Sequence, residues 1–450
     1  MFSASPRRVA AAVLAAAGAC VVWAAWMMPT TAGTDYSIEA EPAVQALRDG
    51  RLAEFLQLAP SYGGSLILRA PFAFLPNLWG GGDLALFRSM AVPCLVAAAF
   101  LAVLLWDRSR VSGAGWGAAG LVLLLCAANP VTLKALRSGH PEELLGAVLC
   151  VGAVLAGGAR RPLLAGALLG LAVANKPWAV LAAVPVAVAL GGGTGRVRAS
   201  VARWRVIAAD SRLRAAAVAG VVGAAVLAPL ALYGGAALEE ARAVAQTSGH
   251  IFKPWQVWWF LGDHAGPLYD VFGNAKPAGY RTPPAWLGEI ARPLVVLLPL
   301  LLSVVCAIRL RRQPWHDALL LLALVFLLRC VLDPWNASYY ALPFLLALLA
   351  WEVHARKGLP LLTLLASLLT FVITDMLTPG VHPDVQSVAY LAWSVPLALA
   401  LAWRLLDPHG FGRRLQPDGA ARRLSVASLA ACLAPPVAGG RASPAAARRD

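Results

Sequence analysis

VAAAVLAAAGACVVWAAWMMPTTAGTDYSIEAEP, Val9 to Pro42, sets a long apolar run against three carboxylates. The run matches the roughly 20 apolar residues that a helix needs to cross a bilayer. Asp35, Glu39 and Glu41 follow where the chain leaves it. The preceding MFSASPRR gives the start the look of a signal peptide. The run is longer than a typical signal core, so it is read as a retained first helix, with Arg7 and Arg8 holding the start in the cytoplasm.

The rest of the chain repeats this pattern. It is 59% hydrophobic and only 14% charged, with a mean hydropathy of +0.68, whereas a soluble domain is about 25% charged. Backbone polar groups in lipid must be satisfied internally, so spans are helices or a closed barrel. Continuous rather than alternating apolar runs select helices. The reading is an all-α polytopic membrane protein with about twelve transmembrane helices. The approximate spans are 9–30, 88–106, 114–131, 141–158, 162–174, 177–192, 215–235, 292–308, 315–331, 338–354, 359–377 and 388–405. The fifth and sixth are short and meet at Asn175-Lys176-Pro177, as in a hairpin that turns near the far surface.

Charge orients this layout. The net charge is +15, which in a soluble chain suggests nucleic acid. Here the arginines fill short links, such as Arg108/Arg110, Arg160/Arg161 and the cluster from Arg196 to Arg214, as the positive-inside rule requires. No nucleic-acid partner is expected. Both termini are then cytoplasmic, and the acids gather on the outer side. Residues 1–407 form one integral-membrane domain with outer loops at about 31–87 and 236–291. The basic tail, 408–450, has a disordered composition. The first loop contains AVQALRDGRLAEFLQL, with Val44, Leu47, Leu52, Phe55 and Leu56 roughly on one helical face. GGSLILRAPFAFLPNLWGGG follows, apolar but broken by Arg69, Pro71 and Pro76. Both suit helices lying in the membrane interface. The seven cysteines lack CxxC spacing; six lie in or at the end of apolar runs and suit small core residues.

Four groups of residues carry possible chemistry. Asp35 is a carboxylate at the membrane surface, able to accept a proton from an attacking hydroxyl, or an ordinary loop acid. Glu39 is one helical turn on. His140, Glu142 and Glu143 cap the outer end of the fourth span, with Pro141 in its first turn. Lys176 lies inside an apolar stretch, where a cation is costly and hence a functional candidate, unless it snorkels at a helix end. In HIFKPWQVWWFLGDH, His250, Lys253, Trp255, Trp258 and Trp259 form either an interfacial aromatic belt or a phosphate or sugar site. Arg329 either pairs with Asp333 one turn later or meets a lipid phosphate, with Tyr339 and Tyr340 lining the cavity. The chain has no P-loop, HExxH, GxSxG or Rossmann fingerprint. An enzyme built this way takes an activated substrate already in the membrane, with neither cofactor nor metal.

Taken together, Asp35-Tyr36 after the first helix, GHPEELLGAVL from Gly139 and GALLGLAVANKPWAVL from Gly166 resemble family 87 glycosyltransferases. These are polyprenyl-phosphate-sugar-dependent mannosyltransferases of the GT-C superfamily. The residues Gly166, Gly170, Leu171, Ala172, Lys176 and Pro177 match that family's G-x-x-x-G-L-A-x-x-x-K-P element. The resemblance implies a GT-C-like fold in the plasma membrane and an inverting transfer on the outer face. The donor would be a polyprenyl-phosphate sugar, mannose by analogy, and the acceptor a lipid or glycan. Asp35 would be the base, with Glu39 beside it. Lys176, Arg329, His250 and Lys253 would hold the donor phosphate. His140, Glu142, Trp255, Tyr339 and Tyr340 would line the substrate cavity. The rival readings are a transporter or lipid flippase, in which buried Lys176 and Arg329 line a pathway, and a non-catalytic envelope scaffold.

Overall fold

The computed structural model describes residues 6–28, 30–191, 210–235, 251–264, 276, 278–310, 314–356, 358–378 and 380–407. His250 and the tail at 408–450 lie outside the described residues.

The described chain is helical almost throughout. Helices α1 (Pro6–Trp26), α5 (Asp83–Val111), α6 (Trp116–Ala127), α7 (Pro130–Ser138), α8 (Pro141–Gly158) and α9 (Pro162–Asn175) precede the first long gap, as does α10 (Ala183–Gly191). Between α1 and α5 lie a π-turn at Tyr36–Ala40, short helices α2 (Glu41–Arg48), α3 (Leu52–Leu58) and α4 (Gly63–Arg69), and a 3-10 segment at Ala70–Leu78. After the gap come α11 (Ser211–Tyr233), α12 (Leu287–Leu310), α13 (Asp317–Leu332), α14 (Leu342–Ala355), α15 (Leu361–Phe371) and α16 (Pro383–Leu406). The only described strands are β1 (Asp263–His264) and β2 (Arg281–Thr282), antiparallel with Asp263 opposite Thr282. Arg281 fastens this hairpin to the start of α16 through two hydrogen bonds to Asp384, at 2.9 and 3.0 Å.

Among the described residues, each of the twelve apolar runs is mostly helical. Seven are long and apolar enough to cross a membrane: those within α1, α5, α6–α7, α8, α11, α12 and α16. The runs at 162–175, 177–191 and 361–376 are shorter, and α13 and α14 have 16 and 14 residues. The last two are apolar on every side, and such a helix is buried. Leu319 to Leu327 of α13 and Phe344 to Leu349 of α14 are wholly enclosed by other helices.

Local signals place the breaks. Asn129 caps α7 by accepting a hydrogen bond from the Val131 amide at 2.9 Å, and Pro130 opens the first turn. Gly139 ends α7 with φ +95°. In the first loop, Val44, Leu47 and Phe55 are buried on one side as the periodicity predicts, but Leu52 is exposed. Gly50, at φ +77°, turns the chain between α2 and α3 and resets the helical phase.

Helices α9 and α11 meet along a seam of small residues. A Cβ on Gly166 would lie 2.3 Å from the Ala215 carbonyl oxygen, and one on Gly170 would lie 2.5 Å from that of Ala219. Small residues at this spacing let two helix backbones approach in a membrane. Most of α11 is otherwise exposed in the monomer, so this seam is its main attachment. Gly170→Val is expected to cost about 1–3 kcal/mol through overpacking. Thermal unfolding in detergent should show a lower midpoint for G170V. Gly220→Val, on α11 with open space around it, should leave the midpoint unchanged. Equal midpoints for wild type and G170V would remove the seam from the account.

Candidate active site

The first turn of α8 buries two consecutive carboxylates, Glu142 and Glu143, each only 1% exposed. A helix N-terminus favours negative charge, but buried carboxylates also need paired cations and hydrogen bonds. Other elements supply them. Lys176 Nζ lies 3.1 Å from Glu142 Oε1 and 3.6 Å from Glu143 Oε1. Arg69 Nη2 lies 3.6 Å from Glu142 Oε2. Arg329 Nη1 lies 3.9 Å from Glu143 Oε2. Trp178 Nε1 donates to Glu143 Oε1 at 3.2 Å.

His140 joins this cluster to Asp35. Its Nδ1 is 2.8 Å from Glu142 Oε1 and its Nε2 is 2.9 Å from Asp35 Oδ2. Tyr339 donates its hydroxyl to the same Asp35 oxygen at 3.5 Å and packs its ring against the imidazole. Gly139 makes the contact possible. A Cβ there would sit 2.5 Å from the Tyr36 amide nitrogen, so only a glycine lets the 35–36 backbone approach His140. The π-turn that begins at Tyr36 then presents Glu39 at the surface. Asp35 is the accessible end of the chain of groups, with its side chain 35% exposed.

Burial alone would lower the imidazole pKa. The Glu142 charge and the hydrogen bonds to Asp35 and Glu142 outweigh it and lift His140 from the ordinary 6.5 to about 9. The cluster therefore sets Asp35, Glu39, Glu142 and Glu143 against Arg69, Lys176, Arg329 and a protonated His140.

Several sequence-predicted residues meet here: Asp35, His140, Glu142, Lys176, Arg329 and Tyr339 by ion pair or hydrogen bond, and Tyr340 through its ring, which lies 4.1 Å beneath the Arg329 guanidinium. Three details differ from the sequence reading. Arg329 is ion-paired with Glu143 rather than with Asp333, because α8 packs alongside the end of α13. Lys176 is already engaged by two carboxylates. Trp255 is not in the cluster. It packs against Ile373 and Tyr390, and its indole donates to Gln386. Lys253 sits in the same segment, which is held to the end of α13 and the turn after it by the bonds Val257 N to Val331 O and Lys253 N to Pro334 O.

Sequence reasoning missed Arg69, Tyr62 and Trp178. The Tyr62 ring lies 4.0 Å from Lys176 Nζ, and Trp178 lies 4.9 Å from the Arg329 guanidinium. The available signal was Arg69 itself, a lone cation in SLILRAPFAFL, which needs a buried partner. No protein-family model, curated protein or solved structure matches this chain.

Because the folded pKa of His140 lies above its unfolded value, the stability contributed by its charge is complete below pH 6.5 and lost as pH rises through about 9. The unfolding midpoint of the wild-type protein should fall across that window, and His140→Gln should flatten the fall. Identical slopes for both proteins would mean that His140 is not charged in the fold.

Proposed function

We propose that the chain is a membrane glycosyltransferase of the family 87 type. It moves a sugar, mannose by resemblance, from a polyprenyl-phosphate donor to a lipid or glycan acceptor. In this reading the five shorter apolar helices complete a GT-C-like bundle of about twelve membrane segments, with interfacial helices in the first loop. The protein sits in the plasma membrane with both termini cytoplasmic and Asp35 on the outer face. The observation that carries the reading is Asp35 itself: a part-exposed carboxylate, hydrogen-bonded to a buried, charged histidine, at the mouth of a polar cluster among apolar helices.

The chemistry follows from that placement. The acceptor hydroxyl gives its proton to Asp35 as its oxygen bonds to the anomeric carbon. The bond from that carbon to the phosphate oxygen breaks on the opposite face, and polyprenyl phosphate leaves with the electron pair, inverting the centre. His140 and Tyr339 hold the Asp35 carboxylate in one orientation, so that it is aimed before substrate arrives. Lys176 has a more exposed side chain (12%) than Arg69 (3%) or Arg329 (5%). It is thus the cluster cation best offered to the donor phosphate, with Lys253 and His250 as further candidates.

A second reading, a transporter or lipid flippase, is favoured by the cluster of buried ionisable groups among apolar helices, Glu142, Glu143, Lys176 and Arg329, which are the residue types that line pathways through a membrane. The test uses purified protein in lipid nanodiscs with radiolabelled polyprenyl-phosphate-mannose, or -arabinose, and a total lipid and glycan extract. Wild type should transfer label, and Asp35→Asn should do so about 10²–10⁴-fold more slowly, as expected for loss of a general base. Equal transfer by both proteins moves the base to Glu39. No transfer from either donor, together with donor-lipid movement in proteoliposomes, favours the transporter.

A further inference from the structure

A groove opens on the side of the bundle where α10 packs against both α11 and α12. Its volume is about 170 Å³. Val184 and Val188 of α10 form one wall, and Val304, Ala307 and Ile308 of α12 form another. From Val184 to Gly191 the groove follows α10 for roughly 10 Å, at about 1.5 Å per residue. Val304 and Ile308 are 47% and 58% exposed, so the groove is open to whatever surrounds these apolar helices. The chain leaves the charged cluster after Lys176 and runs away from it through α10, so Gly191 lies toward the opposite end of the bundle.

One cation stands at that end. Arg212, in the first turn of α11, lines the groove beside Gly191. A Cβ on Gly191 would collide with the guanidinium, so the glycine lets the arginine lie across the last turn of α10. Capping that turn uses only Nε, which donates to the Ala187 carbonyl at 3.0 Å. Neither Nη atom has a hydrogen-bond or ion-pair partner among the described residues. Asp210, the one acid in the link from 192 to 214, accepts from the Arg212 backbone amide at 2.8 Å instead. The same link carries six arginines. A free anion would use Arg212 and ignore the apolar walls. A lipid without net charge would fill the groove and leave the cation uncompensated. A lipid with an anionic headgroup uses both: its phosphate accepts from the planar guanidinium fork, and an acyl chain lies along α10. Basic pockets between membrane helices bind such headgroups.

We infer that this groove binds one anionic phospholipid, with its phosphate on Arg212 and an acyl chain between α10 and α12. The site is separate from the Asp35 cluster and does not depend on the transferase reading.

The experiment uses the full-length protein in phosphatidylcholine nanodiscs doped with a phosphatidylglycerol probe that carries a diazirine on one acyl chain, or with a phosphatidylcholine probe bearing the same chain. Crosslinked peptides are mapped by mass spectrometry. The phosphatidylglycerol probe should label residues 184–191 and 304–310 about fivefold more than the phosphatidylcholine probe, the discrimination expected of one arginine at a membrane surface. Arg212→Gln should abolish that preference, and Arg214→Gln should keep it within about twofold. Ile308→Trp, which fills the groove and keeps the charge, should lower phosphatidylglycerol labelling of 184–191 by at least about threefold. Equal labelling by the two probes in wild type, or an undiminished preference in R212Q, overturns the inference. So does loss of labelling in millimolar inorganic phosphate at constant ionic strength, which would make this a site for free anions. If R212Q does not fold, the tryptophan variant decides alone, and unchanged labelling there overturns the inference as well.

Discussion

Two adjacent carboxylates buried at the start of α8 govern the architecture of this end of the protein. Removing an ionised carboxylate from water costs several kcal/mol even after relaxation, and here there are two, one residue apart. The helix dipole offsets only part of this. The remainder must come from cations brought in by other segments, and these are Arg69 at the end of α4, Lys176 between α9 and the 177–182 turn, and Arg329 in the last turn of α13. Each sits where a helix ends or breaks. Lys176 is in extended backbone, φ −152° and ψ 128°, and Asn175 beside it donates to the Glu142 carbonyl at 2.9 Å. A continuous helix through 175–177 would carry the lysine around the axis and away from α8. The interruption of the apolar run is thus a consequence of where the charge must go.

The same electrostatics gives Asp35 its character. It is joined to the cluster through a single imidazole, and it alone among the three carboxylates joined by His140 and Lys176 has substantial access to the exterior. Arg69 and Lys176 compensate Glu142, and Glu142 keeps His140 protonated. The imidazole and the Tyr339 hydroxyl both meet the same Asp35 oxygen. A general base works best when it is held in one orientation before substrate arrives. The buried pairs therefore act at a distance of two residues from the group that would do chemistry.

The sequence made much of this legible, and for physical reasons. Continuous apolar runs announced helices, and among the described residues each run is mostly helical. Their lengths were less legible: α13 and α14 are enclosed by neighbouring helices, and an enclosed helix need not match the thickness of a bilayer. The high cost of a cation in an apolar stretch singled out Lys176 and Arg329 without any structure. What could not be read was pairing. Helical spacing allowed Arg329 to pair with Asp333, four residues on, yet its ion pair is with Glu143, 186 residues earlier in the chain. Arg69 looked like a helix breaker in an interfacial segment, and only the packing of α4 near α5 and α9 reveals it as a buried counter-ion. Trp255 lay in a segment whose density of aromatics suggested a cavity; it packs against Ile373 and Tyr390, away from the charged cluster, and Asn336 in the turn after α13 donates to its carbonyl at 2.6 Å.

The element from Gly166 to Pro177 shows how a short motif can join packing to chemistry. Its two glycines do not approach the charged cluster. They face α11, where the backbones come too close for any side chain. The opposite side of α9 packs on α8. Held from both sides, α9 has little freedom to slide or rotate, so the position of its C-terminal end is fixed. Lys176 is the first residue beyond that end. Its Nζ falls within hydrogen-bond reach of Glu142 while staying close to Glu143, and a shift of about one ångström along the seam is enough to stretch the 3.1 Å contact beyond hydrogen-bond length. The glycines and the lysine are one mechanical unit, in which the seam sets the register and the lysine uses it.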